Sequence, residues 1–383
     1  MPITPRALNR STLARQLLLA REPVGVEDAV RRVVALQAQR PGSPYVALWN
    51  RIAGFDPARF DEALNGFRVV RSTLMRLTLH QVHADDYRAF REAMEPTLRG
   101  GRLHDPRFRA AGFTAADADA LLPGLLAHAS EPRTGAELRE LVERGREGPV
   151  APVVWRMVRQ YAPLWHAPEG PPWAFGSAQS FVTASERPAL ADPEASATGL
   201  AVLLRRYLEG FGPASDADMA QFTTAPRRLV REAVRVLLEE GTERLEGADG
   251  TVLYDVPGAP LPDGEAPAPP RLLGMWDSVL LAYADRSRII PPAYRKLVIR
   301  VNGDTLPTLL VDGYVAGVWR PVDGGIEATA FHPLPAGAWE GLAAEAAALG
   351  GLLAARDPLV YRRYDHWWAK GFPAAGTRVL PAG

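Results

Sequence analysis

The sequence predicts a protein of the α+β class, with three tandem helix–helix–hairpin units around a concave cleft and a small β-rich barrel at the C-terminal end. Two observations carry this prediction. A series of two helices and a hairpin occurs twice, about 80 residues apart, and short strands separated by glycine turns follow in the last third of the 383-residue chain.

The clearest unit begins at Ser215, a candidate N-cap residue. Its pattern predicts helices over 216–221 and 227–240 and strands over 242–246 and 251–256. The inward face of the second helix is predicted to hold Leu229, Ala233, Val236 and Leu237. Two helices followed by a hairpin are the order of a winged helix-turn-helix, whose second helix and hairpin can contact duplex DNA.

A parallel series begins at Thr134. It predicts helices over 136–142 and 153–161 and strands over 164–167 and 173–182. The two candidate caps, Thr134 and Ser215, and the two turn glycines, Gly170 and Gly250, are both about 80 residues apart. The spacing indicates an internal repeat.

The first 110 residues are predicted to be a more divergent copy. Thr4 followed by Pro5 is typical of a helix start, and the apolar positions of residues 26–34 indicate a second helix. Ser43 followed by Pro44 predicts a third helix. Residues 69–83 alternate between apolar and polar side chains and predict a hairpin.

A proline-rich connector, residues 257–270, precedes a β-rich region. Strands are predicted over 297–301, 308–311, 314–320 and 326–330, with the turns Asn302-Gly303, Asp312-Gly313 and Gly324-Gly325 between them. An alanine-rich helix over 339–355 is predicted to close this barrel or sheet. The predicted domains are residues 1–110, 111–190, 191–260 and 261–383.

The composition excludes several classes of site. The absence of cysteine excludes disulfides, iron–sulfur clusters and thiolate zinc sites, and is consistent with a reducing cytoplasm, where we place the protein. No apolar run is long enough to span a membrane, and residues 1–10 carry no signal-peptide core. No His-Glu-x-x-His motif or Walker loop is present, so we expect neither a metal nor a nucleotide cofactor.

The charge is balanced, with 44 basic and 44 acidic residues. Because no bulk field attracts a polyanion, any nucleic-acid contact has to use a local patch. Only Lys296 and Lys370 are available as Schiff-base nucleophiles.

Residues 36–41, Leu-Gln-Ala-Gln-Arg-Pro, contain the most informative departure from the helical pattern. In phase with Val30 and Val33, the next inward position holds Gln37 instead of an aliphatic residue. A buried amide needs partners, because an unpaired one costs about 1–3 kcal/mol. Such exceptions are typical of functional sites.

Pro41 predicts that the second helix ends near Gln39, where both glutamines could face one cleft. On the triplet alone, an alternative interpretation is that Gln37 only ties down the helix end and that Gln39 is solvated.

The chain resembles the AlkZ-type winged-helix DNA glycosylases, bacterial enzymes related to the YcaQ family, over essentially its whole length. Gln37-Ala38-Gln39 fits their glutamine–hydrophobic–glutamine catalytic motif, and residues 71–80 resemble their first-wing region. The longest matches are WDSVLLAYADRSRIIPPAYR (276–295), NGD (302–304), LVDGYVAGVW (310–319) and FHPL (331–334). The YcaQ branch carries aspartate where this chain has Gln39.

The resemblance implies hydrolysis of the N-glycosidic bond of an N7-alkylated purine in double-stranded DNA, including bulky guanine adducts and interstrand crosslinks. It implies a role in DNA repair or in self-resistance to a genotoxic natural product. N7 alkylation makes the base cationic, so the leaving group departs neutral and needs little general-acid help. Two amides can orient the attacking water.

We therefore expect a monofunctional glycosylase without lyase activity, in which Gln37 and Gln39 are catalytic. It is expected to act as a monomer and to use an open cleft rather than an enclosed base-flipping pocket.

Seven further side chains are predicted to contact DNA, because they fall near the cleft or on the predicted recognition helix: Arg40, Arg71, Arg76, His80, Arg227, Arg228 and Arg231. The role of His80 is implied by the resemblance. His80 and His83 should point to opposite faces of a strand, so no metal pair is expected there. A separate set, Asp277, Asp285, Arg286 and Arg288, is interpreted as structural charges.

Two other functions stay open. The protein could be a non-catalytic winged-helix regulator, or a resistance protein that binds a lesion without releasing the base. It could also be a scaffold that binds protein on its concave face and has no affinity for DNA. Release of free base from DNA that contains N7-methylguanine separates these functions.

Overall fold

The structure of the protein is a computed structural model that describes residues 2–144, 149–176 and 179–382. Helices and strands are mixed along the chain, and the described strands form four antiparallel sheets. This confirms the predicted α+β class. The described residues include no helix that is both long and apolar enough to cross a membrane.

Helix α1 (Pro5–Arg15) opens the chain, and Thr4 caps it as predicted by accepting a 3.1 Å hydrogen bond from the backbone N–H of Ala7. The next six elements are α2 (Val26–Arg32), β1 (Leu36–Gln37), α3 (Gly42–Trp49), α4 (Pro57–Asn65), β2 (Val69–Thr73) and β3 (Leu79–His83). Strand β3 is the centre of a sheet of order β1-β3-β2.

The same order of elements follows the connecting helices α5 (Ala84–Leu103) and α6 (Pro106–Ala110). It consists of α7 (Ala115–His128), β4 (Arg133–Thr134), α8 (Gly135–Glu143), α9 (Pro152–Tyr161), β5 (Leu164–Ala167) and β6 (Ser180–Thr183). The sheet order is β4-β6-β5, again with the last strand in the centre. The last strand is shorter than the predicted 173–182, a range in which residues 177 and 178 lie outside the described residues.

A third copy contains α10 (Pro193–Phe211), α11 (Asp216–Thr223), α12 (Arg227–Glu239), β7 (Glu243–Glu246) and β8 (Val252–Asp255). A single bridge from Ala214 to Tyr254 takes the place of the first strand. The two predicted caps, Thr134 and Ser215, both form capping boxes, with Glu137 and Asp218 respectively. Helices α8 and α11, which occupy the same place in the order of elements, therefore begin with the same type of cap.

The inward face of α12 differs in part from the predicted one. Ala233 and Leu237 are buried as predicted, together with Val230 and Val234. Val236 is instead 44% exposed, because the helix packs against α10 and α11 on the side of 230 and 234.

The predicted C-terminal barrel is not formed by the described residues, which build an open five-stranded sheet of order β13-β12-β11-β10-β9. Its strands are β9 (Arg271–Leu273), β10 (Thr308–Val311), β11 (Tyr314–Val322), β12 (Gly325–Ala330) and β13 (Gly376–Pro381). Helix α14 (Ala336–Arg356) packs against β9, β12 and β13. Because this helix covers the sheet, the apolar face is buried without closure of the strands.

The predicted strand over 297–301 is also wrong. The segment begins in the short helix α13 (Arg295–Val298), after a 3₁₀ turn at Pro292–Tyr294, and only Ile299 forms a bridge, to Thr305. Another 3₁₀ turn, Arg362–Tyr364, precedes the short helix α15 (His366–Ala369).

Candidate active site at residues 37–39

Gln37 lies in a strand and not at a helix end, which corrects the sequence-based prediction. Helix α2 ends at Arg32, and Val34 adopts a left-handed backbone with φ of 72°. A left-handed residue interrupts helical hydrogen bonding, so the chain leaves the helix before the glutamine triplet. In β1, Gln37 is directly opposite His80 of β3.

The side-chain amide of Gln37 is buried and held in one orientation. Its exposed fraction is 6%, and its Oε1 accepts a 2.7 Å hydrogen bond from Nη2 of Arg76. Since a guanidinium can only donate, the amide oxygen has to face Arg76. The NH₂ group makes no hydrogen bond to any described residue, so it is available as a donor.

Arg76 connects this amide to the third repeat. It lies in the loop between β2 and β3 with a left-handed φ of 53°, and its Nη1 donates to the carbonyl oxygen of Phe222 at 3.3 Å. Its guanidinium carbon is 5.3 Å from the centre of the Phe222 ring. Burial lowers the pKa of Arg76 to about 10, so the side chain stays charged at neutral pH. The predicted phosphate contact does not fit this inward position.

His80 completes the cluster in a neutral form. It is fully buried, its Nε2 accepts from Nη2 of Arg76, and its Nδ1–H donates to the carbonyl oxygen of Thr78, both at 3.1 Å. Burial, and then the charge of Arg76, hold the pKa of His80 well below its usual value. From this position His80 cannot present a cation to DNA.

Gln39 is half-buried and faces a different neighbour. Its Oε1 accepts a 3.4 Å hydrogen bond from the backbone N–H of Leu79, and its NH₂ group makes no hydrogen bond to a described residue. It borders a cavity of about 70 Å³ that is also lined by Arg159, His166 and Gln179 of the second repeat. Gln37 does not line that cavity.

Arg71 holds the backbone between the two glutamines. Its Nη2 donates to the carbonyl oxygen of Ala38 at 2.9 Å, and its guanidinium carbon is 4.6 Å from the centre of the Phe175 ring. The residue is 5% exposed, and burial lowers the pKa of Arg71 to about 10. The predicted phosphate contact does not fit this buried position either.

The other predicted DNA contacts lie at the surface. Arg227 and Arg231 of α12 both pair with Asp216 at 2.7 Å, and Arg228 pairs with Glu232 at 2.7 Å. Arg40 is half-exposed, with its guanidinium carbon 5.6 Å from the centre of the Tyr364 ring.

Sequence reasoning missed the two aromatic partners of Arg71 and Arg76, which are Phe175 and Phe222. They are far from the triplet along the chain, and nothing in their local sequence distinguishes them from ordinary core residues. Only the folded arrangement places them against Arg71 and Arg76.

The chemistry that this site can perform is limited to hydrogen bonding. Each glutamine offers two N–H donors and one further lone pair on its oxygen. No carboxylate or lysine forms a hydrogen bond to either glutamine in the described part of the chain. Nor do three or more His, Asp or Glu side chains come together there as metal ligands.

Comparison with known proteins gives three agreeing results. A family model described as DNA glycosylase AlkZ-like matches residues 30–352. A curated relative from Streptomyces sahachiroi, named an interstrand DNA cross-link repair glycosylase, is 28% identical over 369 residues, which cover 89% of this chain and 95% of the relative. The solved structure of the Streptomyces sahachiroi DNA glycosylase AlkZ matches with a TM-score of 0.75 and 20% identity, covering 93% of this chain and 97% of that one.

The structural match shows a shared fold, and the family model spans most of the chain and includes the glutamine triplet. The protein therefore belongs to the AlkZ-like DNA glycosylase family.

Proposed function

We propose that the protein is a monofunctional DNA glycosylase that hydrolyses the N-glycosidic bond of N7-alkylated purines in duplex DNA. Bulky guanine adducts and interstrand crosslinks are the proposed lesions, and the proposed role is DNA repair or self-resistance to a genotoxic product. The name of the Streptomyces sahachiroi relative supports the crosslink as a substrate class.

The observation that carries this proposal is the fixed orientation of the two amides. Both glutamine oxygens already accept a hydrogen bond from a donor that cannot also accept, Nη2 of Arg76 for Gln37 and the Leu79 N–H for Gln39. The remaining donors and lone pairs are thereby pre-oriented. Pre-orientation is what catalysis by positioning requires.

The proposed reaction uses these groups to place water. The cationic alkylated base leaves as a neutral molecule, which generates an oxocarbenium-like deoxyribose. The free lone pairs of Gln37 and Gln39 orient a water molecule toward the anomeric carbon, and their NH₂ groups contact the nucleotide. Water forms the new C–O bond and loses its proton to solvent.

In this proposal each of the three repeats is a winged-helix unit. The support is their shared element order, with the last strand at the centre of the sheet in the first two and the bridge from Ala214 to β8 in the third. We propose domains at residues 1–110, 111–190, 191–260 and 261–383, a monomeric protein and an open DNA cleft between the repeats.

The test is base release by Gln37→Ala and Gln39→Ala variants on duplex DNA that contains N7-methylguanine. We expect each substitution to lower the single-turnover rate by about 100-fold or more, because the water loses an orienting partner. Gln221→Ala is the matched control, since Gln221 is a half-buried glutamine of α11 outside the triplet, and it should retain the wild-type rate.

Near-ultraviolet circular dichroism and duplex binding check that the variants fold. Undiminished rates in both glutamine variants contradict the catalytic assignment. Binding of the lesion without base release by the wild-type protein instead supports the non-catalytic lesion-binding function. Strand cleavage at the abasic site without alkali treatment contradicts the monofunctional assignment.

A further inference from the structure

A group of cations lies on aromatic rings at the C-terminal side of the glutamine triplet. The guanidinium carbon of Arg300 and Nζ of Lys370 are each 4.3 Å from the centre of the Trp367 ring. Arg40 and Arg363 lie 5.6 and 5.1 Å from the Tyr364 ring. Lys296 has no such ring contact; it is an exposed lysine next to Arg300, whose Nη1 donates a 3.4 Å hydrogen bond to the backbone carbonyl oxygen of Lys296. We call this set the cation–aromatic patch: Arg40, Lys296, Arg300, Arg363, Tyr364, Trp367 and Lys370.

The cations of the patch are not neutralised. None of the five has a carboxylate within 4.0 Å among the described residues. Two carboxylates border the patch, and neither lies within 4.0 Å of one of its five cations. Asp304 accepts from Nε1 of Trp367 at 2.9 Å, and Asp365 lies 3.6 Å from Arg320. In a chain of zero net charge, the patch is a local excess of positive charge.

The recognition helix predicted from the sequence differs in this respect. Arg227, Arg228 and Arg231 of α12 each have a carboxylate partner at 2.7 Å. A phosphate would have to displace those carboxylates, whereas the five cations of the patch have no ion-pair partner among the described residues. Charge therefore favours the patch as the stronger site for a polyanion.

The patch adjoins the candidate active site. Arg40 directly follows the glutamine triplet, and Ser43 Oγ is 2.9 Å from the hydroxyl oxygen of Tyr361. A Cβ atom at Gly42 would lie 2.9 Å from Cγ2 of Val360. The segment that carries the patch thus packs directly on the start of α3.

Strained backbone supports the rings of the patch. Tyr361 and Trp276 both adopt left-handed conformations, with φ of 71° and 56°. Such conformations are unfavourable for bulky residues and are concentrated at functional sites. The Trp276 ring is 5.7 Å from the Tyr364 ring, and Nε1 of Trp276 donates to the carbonyl oxygen of Gly303. The strain therefore lies beneath the surface that carries the cations.

We propose that the cation–aromatic patch binds the phosphate backbone of duplex DNA beside the lesion. This inference rests on the proposed function, because it takes DNA as the substrate. Aromatic rings hold four of the five cationic groups in place before DNA arrives, so less side-chain freedom is lost on binding. Phosphate contacts of this kind set the position of the duplex and carry no sequence preference.

The first test measures binding of undamaged duplex DNA by a Lys296→Gln/Lys370→Gln double variant across a salt series. Each lysine that contacts a phosphate contributes about one to the slope of log affinity against log salt, so the slope should fall by about two. The dissociation constant should rise about tenfold at 0.1 M salt.

Arg378→Gln is the matched control. Arg378 is an exposed arginine of β13 whose guanidinium carbon is 4.4 Å from the Trp339 ring, the same type of contact outside the patch. The affinity of the Arg378→Gln variant for duplex DNA, and the salt slope of that affinity, should equal those of the wild-type protein. A double lysine variant with wild-type affinity and slope overturns the proposal, as does a wild-type protein that does not bind duplex DNA.

A second test uses the wild-type protein and the fact that it contains only two lysines, Lys296 and Lys370. Acetylation with an amine-reactive reagent, followed by mass spectrometry, should show both lysines protected in the DNA complex. Unprotected lysines in a saturated complex overturn the proposal. If the wild-type protein binds duplex DNA but releases no base, the proposed catalytic function is contradicted. Lysine protection and the salt slope still test whether the cation–aromatic patch binds DNA.

Discussion

Two arginines, buried Arg71 and partly buried Arg76, organise the residues around the glutamine triplet. Arg76 fixes the oxygen of Gln37 and bonds to Phe222 of the third repeat, while Arg71 fixes the carbonyl of Ala38. Each loses hydration on burial, which is compensated by these bonds and by contact with an aromatic ring. The charged groups that sequence reasoning assigned to phosphate thus orient the motif instead.

Two buried histidines give the stability of the protein a defined pH dependence. Burial is the main cause that holds the pKa of His80 and of His166 well below the usual value, and nearby arginines add to it. On acidification below about pH 6.5 the unfolded chain takes up these protons while the folded protein does not. The free energy of unfolding should then fall by about 1.4 kcal/mol per pH unit for each histidine.

Urea denaturation between pH 7.5 and pH 5.5 measures this effect. A His80→Gln variant, which keeps a polar side chain without the titration, should lose about half of the dependence that the two histidines cause. A wild-type stability that is unchanged across this range contradicts the assignment of both histidines as neutral in the fold.

The helical pattern around Gln37 predicted the burial of this residue but not the conformation of the backbone before it. A polar residue in phase with Val30 and Val33 correctly indicated that Gln37 is buried, although the supposed helix ends at Arg32. The left-handed backbone at Val34 could not be predicted, because β-branched residues rarely adopt it. The local backbone was therefore missed while the burial was predicted.

Helices α10 and α5 pack closely against each other, and Gly199 of α10 permits it. A Cβ atom at Gly199 would lie 2.5 Å from the carbonyl oxygen of Ala89 and 2.9 Å from the backbone nitrogen of Ala93. Both atoms belong to the α5 backbone and cannot rotate away. Gly199→Ala should therefore push the helices apart and lower the free energy of unfolding by about 1–3 kcal/mol.

Gly100→Ala is the matched control in the partner helix, because a Cβ atom there meets nothing within 4 Å. Alanine has the higher helix propensity, so this variant should gain about 0.5–1 kcal/mol. Urea denaturation of both variants measures the difference. Equal effects of the two substitutions would mean that close packing at Gly199 does not limit stability.

Local signals at helix starts led to some correct predictions, but not every element with such a signal was found. Thr134 and Ser215 begin capping boxes that occur at the same place in two repeats, so those helices were found. Helix α4 was missed although Asp56 caps it and Pro57 opens it. The segment 297–301 has the apolar composition of a strand, but the neighbouring 3₁₀ turn and α13 leave it without a strand partner.

At the scale of the molecule, buried ion pairs join the N-terminal repeat to distant parts of the chain. Arg51 follows α3 and forms two 2.8 Å hydrogen bonds to Asp277, which precedes the sheet strand β10. Their side chains are 1% and 0% exposed. This confirms the interpretation of Asp277 as a structural charge, and it fixes the C-terminal region, with its cation–aromatic patch, against the repeat that carries Gln37.

Removal of one partner from the Arg51–Asp277 pair should therefore be much more damaging than removal of both. Arg51→Met leaves a carboxylate buried without its counter-charge, and Asp277→Leu leaves a buried guanidinium, so each should cost about 3–5 kcal/mol of the free energy of unfolding. The double variant replaces both charges with apolar side chains and should recover most of that loss. Urea denaturation of the four proteins in a double-mutant cycle measures the coupling. Additive losses would show that the two charges do not depend on each other, and that other contacts hold the C-terminal sheet in place.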